Sequence, residues 1–185
     1  MTQFAHCISL GYFCSTAMEL ERYGLRDCSS PFDWCISPWT GVEQCLANGF
    51  DKLLEPSLLY QSKNEPSHYK NIRYGIEFFH DFNSHRSLQE QLPDIRRKYQ
   101  RRCDRFLSNI CEPTLFIRYV ASEPRMSIRS DGSSLTEMQY ITCHSQEIIN
   151  MIKSFNINNR LILISDTPAI TPPQHTRLSR SAGSR

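Results

Sequence analysis

Residues 4–24 read "FAHCISLGYFCSTAMELERYG", and this stretch decides the fold because its character changes within a few residues. The apolar run 4–10 stops at Gly11, which predicts a short buried strand. Thr16 and Glu19 follow in the S/T-x-x-E spacing of a capping box, so we expect a helix to begin near Thr16. The stretch therefore predicts a strand that leads directly into a helix.

The rest of the chain continues this alternation of strand and helix. The apolar runs "TLFIRYV" (114–120) and "RLILISD" (160–166) predict two further strands, and segment 71–82 has a strand-like alternation. Apolar residues at three- and four-residue steps predict amphipathic helices over 88–111 and 135–155. We therefore predict an α/β fold with a small, mainly parallel sheet and helices on both faces.

The predicted elements form a single α/β domain over residues 1–167, with a loop over 121–134. Residues 168–185 contain several prolines and no periodicity, which predicts a disordered tail. Because a sheet that ends at its third or fourth strand is small, we expect a shortened form of a longer domain.

Composition excludes several classes of protein. The chain has 185 residues, 39% hydrophobic and 22% charged, with a net charge of +2, so we expect neither nucleic acid nor a membrane as a partner. The start "MTQFAHCISLGYF" lacks a basic region followed by a long apolar run, and no stretch approaches the roughly 20 apolar residues of a membrane span. These features predict a cytoplasmic protein.

The eight cysteines show no metal-binding spacing. They are at positions 7, 14, 28, 35, 45, 103, 111 and 143, and no two are separated as in the C-x(2–4)-C pairs of zinc sites. We therefore expect no metal and no other cofactor. In the cytoplasm most of these thiols would be reduced and would pack as small hydrophobic side chains.

Cys14 differs from the other cysteines in its position, at the first strand-to-helix turn. Ligands of open parallel sheets bind beyond the carboxyl ends of the strands. The free N–H groups at a helix start favour a thiolate, and Gly11 permits a tight turn and a close approach of substrate. Cys14 is therefore the candidate nucleophile. The competing interpretation is a small buried side chain in a turn.

A thiolate nucleophile needs a base, and His80 in "FFHDF" is the best candidate because it ends a strand-like segment. Asp33 in "PFDW" is the candidate to orient this histidine, and Asp81 and Asp166 are weaker candidates. The competing interpretations are a structural histidine and an aspartate that orders its loop by accepting backbone N–H groups.

These motifs, taken in order, resemble a known family. Residues 8–34, "ISLGYFCSTAMELERYGLRDCSSPFDW", are similar to the bacterial papain-like cysteine peptidases of the DUF1796 family, which show L-G-x-x-C, L-R and P-F-D-W in this order. "FFHDF", "YQRRCDRFL" and "TLFIRYV" extend the resemblance over residues 8–166. The resemblance implies a cysteine nucleophile at Cys14 and a histidine base at His80.

Two functional hypotheses follow. In the first, the protein is a cysteine peptidase, or a related thiol hydrolase or acyltransferase, whose substrate is a peptide or an acylated small molecule. Cys14 attacks the amide or thioester carbonyl, His80 accepts and returns the proton, and Asp33 orients His80. In the second, the protein is a non-catalytic binding module for a sugar or nucleotide. Its phosphates would meet the helical stripe of Arg97, Arg101 and Arg105, which otherwise forms a solvated face.

Overall fold

The structure, a computed structural model, describes residues 3–120, 128–130 and 133–165 and contains two main sheets. The first sheet is parallel and is ordered β1-β6-β9. Its strands are β1 (His6–Ser9), β6 (Thr114–Val120) and β9 (Arg160–Ser165). The three strongest apolar runs of the sequence form this sheet, so the predicted small parallel α/β sheet is confirmed.

The second sheet is antiparallel and is ordered β2-β5-β4-β3. It consists of β2 (Cys35–Ile36), β3 (Leu59–Gln61), β4 (Tyr69–Asn71) and β5 (Glu77–Phe78). The sequence predicted a strand-like alternation within 71–82, and this segment does contain the end of β4 and all of β5. The alternation itself is wrong at Ile72 and Tyr74, because residues 72–74 form a turn between these strands.

The Asn71 side chain explains that turn. Its Oδ1 accepts the backbone N–H groups of Arg73 and Tyr74, each at 2.9 Å. Its Nδ2 donates to the carbonyl oxygens of Lys52 and Leu53 at 3.0 and 2.9 Å. An asparagine that bonds the backbone two and three residues onward favours a turn, and here it overrides the strand propensity of the residues that follow.

Five α-helices lie around the sheets in the described part of the chain. They are α1 (Cys14–Arg22), α2 (Trp39–Asn48), α3 (Leu88–Asn109), α4 (Glu137–Cys143) and α5 (Ser145–Phe155). Helix α1 begins two residues before Thr16, with Phe13 as an N-cap that makes no side-chain hydrogen bond, so the predicted capping box is wrong. Thr16 is buried within the helix instead. The earlier start makes Cys14 the first residue of α1.

The predicted helix over 135–155 is two helices, because the chain turns at His144 between α4 and α5. Within the predicted loop 121–134, residues 128–130 form β7 (Ile128–Ser130), which pairs antiparallel with β8 (Ser133–Leu135). The predicted tail 168–185 lies outside the described residues. Over the described ranges, no helix combines the length and apolar composition that a membrane span requires.

Helices pack on the parallel sheet from two sides. Ile8, Phe116 and Leu161 pack into the main core, to which α3 contributes Phe106 and α5 contributes Ile152. Helix α1 contacts β1 and β6, and its buried residues lie outside that core. Helix α1 therefore lies on a different side of the sheet from α3 and α5.

Candidate active site

The turn between β1 and α1 has an unusual backbone. Gly11 and Tyr12 adopt left-handed conformations, with φ of 77° and 76°. A Cβ atom on Gly11 would lie 2.5 Å from Ser37 Oγ and 2.9 Å from the carbonyl oxygen of Phe32, so only glycine fits this position. A left-handed non-glycine residue costs roughly 1–2 kcal/mol, and such strain occurs where the surrounding structure enforces it, often at functional sites.

Cys14 lies at the end of this turn and opens α1. Its side chain is half-buried. The first N–H groups of a helix have no partner inside it, and no side chain caps this helix start. Their partial positive charge can stabilise an anion at this position, such as an oxyanion that forms next to the thiol.

His80 is exposed and lies two residues after the end of β5, a strand of the antiparallel sheet. Cys14 and His80 nevertheless line one shallow groove between the two sheets, together with Phe13, Trp34, Cys35, Ile36 and Phe79. The groove leaves a free volume of about 10 Å³, which is room for about one water molecule. Within the described residues, neither the thiol nor the imidazole makes a hydrogen bond.

Asp33 does not bond to His80. Its carboxylate, in a residue that is only 1% exposed, accepts hydrogen bonds from Arg26 Nη2 at 2.7 Å, Arg26 Nε at 3.1 Å and the Ser30 backbone N–H at 2.8 Å. Burial raises the pKa of Asp33, and the hydrogen bonds from Arg26 oppose that rise. The ion pair joins the "LR" and "PFDW" motifs, so Asp33 orders the loop that supplies Trp34 to the groove.

Asp81, a weaker candidate, does not line the groove either. Asp81, whose side chain is buried, accepts a hydrogen bond from Tyr99 Oη at 2.7 Å and pairs with Lys98. Asp166 lies outside the described residues. Within the described ranges, then, no carboxylate orients the His80 ring.

Burial makes most of the remaining thiols poor nucleophiles. It raises the pKa of five of them, with Cys103 at about 12: Cys7, Cys28, Cys35, Cys45 and Cys103. Cys111 and Cys143 are exposed. They provide reference thiols against which the reactivity of Cys14 can be measured.

The arginine stripe of α3 does not form one cationic site. Arg97 pairs with Asp94 on the surface, and Arg105 donates to the carbonyl oxygen of Ser29 at 3.0 Å. Arg102, beside the stripe, lies 5.3 Å from the centre of the Tyr99 ring. This arrangement agrees with a solvated helix face more closely than with a phosphate site.

Sequence reasoning missed a buried ion pair next to the turn. Arg118 on β6 and Glu137 on α4 have side chains that are 0% exposed, and Arg118 Nη2 lies 2.7 Å from Glu137 Oε1. The signal was an arginine in the middle of the otherwise apolar run "TLFIRYV". Its partner could not be identified from spacing alone.

Comparisons with known proteins agree with these motifs. A family model described as "Putative papain-like cysteine peptidase (DUF1796)" matches residues 5–163. An uncharacterized protein of Acanthamoeba polyphaga mimivirus is 29% identical, over 84% of this chain and 73% of the viral protein. No solved structure matches. The matched residues include the turn before Cys14, the groove, and the ion pairs of Arg26 with Asp33 and of Arg118 with Glu137.

Proposed function

The chain belongs to the DUF1796 family, and we propose that it is a cysteine-nucleophile hydrolase with Cys14 as nucleophile and His80 as base. One observation carries the proposal: the thiol at a helix start and the imidazole at a strand end line the same groove from two different sheets. A nucleophile and a base within reach of one substrate are the minimum for covalent catalysis.

The groove supports the following steps. Cys14 Sγ attacks the carbonyl carbon of an amide or thioester, and its proton passes to His80. The first N–H groups of α1 stabilise the oxyanion of the tetrahedral intermediate. Collapse expels the amine or thiol, which takes the proton from His80 and leaves an acyl-enzyme. Water, deprotonated by His80, then hydrolyses the thioester and restores Cys14.

The walls of the groove favour an apolar substrate group beside the reacting carbonyl. Phe13, Trp34, Ile36 and Phe79 surround the two reactive side chains. Phe13 is 44% exposed, so its ring can move without the loss of a packed core. A peptide or an acylated small molecule with an apolar group at this position would match the apolar character of these walls. Because the groove holds only about one water molecule, the Phe13 ring must move to admit such a group. Asp33 contributes indirectly, through the loop that carries Trp34.

Alkylation of the native protein with iodoacetamide at about pH 6.5, with site mapping by mass spectrometry, tests the proposal. If exposure alone decided the rate of alkylation, Cys111 and Cys143 would be labelled first. An activated Cys14 is labelled first although it is half-buried, by a factor of about ten. Equal labelling of all accessible thiols would contradict the assignment of the nucleophile.

A matched pair of variants tests the base. His80→Ala should slow the alkylation of Cys14, because the proton acceptor is lost. His85→Ala is the control, since His85 is an exposed histidine just beyond the same strand and its side chain does not line the groove. A labelling rate that is the same in both variants would remove His80 from the mechanism.

A binding module remains the second candidate, and a larger cavity favours it. This cavity, of about 370 Å³, lies between residues 49–55 and α3, and Lys52, Arg96 and Asp104 line it. It shares no residue with the groove of Cys14. Binding of a nucleotide or sugar phosphate that Lys52→Ala and Arg96→Ala abolish, in a protein with an unreactive Cys14, would favour the module.

A further inference from the structure

The buried ion pair of Arg118 and Glu137 lies beside the turn that presents Cys14. Two charges without any exposure are costly to bury unless hydrogen bonds satisfy both groups. Here they do. Arg118 Nε donates to Glu137 Oε1 at 3.0 Å, and Nη2 donates to both carboxylate oxygens at 2.7 and 2.9 Å. Glu137 Oε2 also accepts the Trp39 backbone N–H at 2.9 Å.

The remaining donors of Arg118 reach the turn itself. Nη1 donates to the carbonyl oxygen of Leu10 at 2.8 Å, which is the last carbonyl before Gly11. Nη1 also donates to Ser37 Oγ at 3.1 Å, and Nη2 donates to the carbonyl oxygen of Ser37 at 2.6 Å. The Arg118 guanidinium therefore binds Leu10, which precedes the left-handed residues Gly11 and Tyr12, and also binds Ser37 on the segment opposite the turn.

Ser37 completes the connection to the strained residue. Its hydroxyl accepts the backbone N–H of Tyr12 at 3.2 Å, and its own N–H donates to the Tyr12 carbonyl at 3.3 Å. The Arg118 guanidinium carbon lies 5.9 Å from the Tyr12 ring centre and 5.8 Å from that of Trp39. The backbone of Tyr12 is thus hydrogen-bonded to Ser37, and the Tyr12 ring lies near the Arg118 guanidinium, which also binds Ser37.

We propose that Arg118 and Glu137 are positioning residues for Cys14, acting through Leu10, Ser37 and the left-handed turn. This inference rests on the proposed function. The pair keeps Tyr12 in a conformation that it would otherwise leave, and so keeps the thiol directed at the groove shared with His80. A planar fork of five donors is required, because a lysine at this position cannot reach the Leu10 carbonyl, Ser37 and Glu137 together.

The test separates positioning from stability. The rate of Cys14 alkylation is divided by that of Cys111 in the same molecule, for wild type, Arg118→Lys and Glu137→Gln. Ile152→Ala is the control, because Ile152 is buried in α5, away from the turn. Small displacements of a reacting group cost up to about a hundredfold, and we expect each ion-pair variant to lower the ratio at least tenfold. The control should lose thermal stability and keep the ratio.

An unchanged ratio in Arg118→Lys, in a protein that folds, would overturn the inference, as would an equal fall in Ile152→Ala. If wild type shows no preference for Cys14, both the proposed function and the inference fail. Should the ion-pair variants not fold, Ser37→Ala provides the test. It removes the hydroxyl that accepts from Tyr12 and Arg118, while the contacts between Arg118 and Glu137 stay in place. A ratio that Ser37→Ala leaves unchanged would equally overturn the inference.

Discussion

The two sheets of this protein differ in how they are stabilised, and each supplies one half of the candidate site. The parallel strands that precede Cys14 and carry Arg118 have four and seven residues and are built from apolar runs. The antiparallel strands have two or three residues each, and side-chain hydrogen bonds such as those of Asn71 define their ends. The candidate nucleophile is thus placed by buried packing and the candidate base by local turns.

The largest loss of stability is expected from a change to Arg118, the buried charge of the parallel sheet. Arg118→Met leaves Glu137 without its cation in the core, and the loss of one partner of a buried pair costs about 3–5 kcal/mol. Urea unfolding of the variant and wild type measures the difference. A loss below about 1 kcal/mol would mean that the pair contributes no more than a surface salt bridge.

The strained turn should be the next most sensitive feature. Gly11→Ala adds a left-handed penalty and a clash with Ser37 and Phe32, so we expect a loss of about 3 kcal/mol. Gly24→Ala is the control, because Gly24 has a φ of 65° and no atom within 4 Å of the added Cβ. Thermal unfolding should show a smaller loss for Gly24→Ala, of about 1 kcal/mol, and equal losses would deny any special fit at Gly11.

In the antiparallel sheet, the turn of Asn71 should matter most. Asn71→Ala removes an amide that is 0% exposed and makes four hydrogen bonds to the backbone, and we expect a loss of about 2 kcal/mol in the free energy of unfolding. Because β5 precedes His80, the variant should also alter the NMR shifts of the His80 ring. A stable variant with unchanged shifts would show that the turn does not determine the position of His80.

The free energy of unfolding should fall at alkaline pH because of the buried thiols in the core that both sheets share. Burial raises the pKa of Cys103 to about 12, above the value of the unfolded chain, so the folded state keeps this proton longer. The associated stability is present below the unfolded pKa and is lost as pH rises towards 12. Between pH 8 and 10 the loss that Cys103 causes should be about 1.5 kcal/mol, so Cys103→Ala should lose about that much less stability than wild type, while the other buried thiols keep their part of the pH dependence. If urea unfolding showed the same pH dependence of the free energy of unfolding for both proteins, burial would not raise the pKa of Cys103.

The smallest effect is expected at the surface of the antiparallel sheet. Lys70 and Glu77 face each other across β4 and β5, with Lys70 Nζ 2.9 Å from Glu77 Oε1. A double-mutant cycle with alanine at both positions should give a coupling of about 0.5 kcal/mol that weakens with salt. A coupling as large as that of a buried pair would mean that this sheet, too, depends on its charges.

Local patterns were sufficient for the parallel sheet and for the position of Cys14. An apolar run of four to seven residues that ends at a glycine predicts a strand wherever it lies, and the strand-to-helix junction follows from the next few residues. The antiparallel sheet escaped prediction because strands of two or three residues show no periodicity. The start of α1 was misplaced because Thr16 matched a capping pattern that burial against the sheet overrides.

The sequence by itself determined three apolar strands, the helices between them and a cysteine at the first junction, since each depends on neighbouring residues. Only the tertiary structure decided which polar groups meet. It paired Asp33 with Arg26 rather than His80, joined Arg118 to Glu137 beside the turn, and placed His80 along the same groove as Cys14. Several carboxylates and cations are equivalent by residue type, and packing in the core selects among them because only groups brought within hydrogen-bonding distance can offset the cost of burying charge.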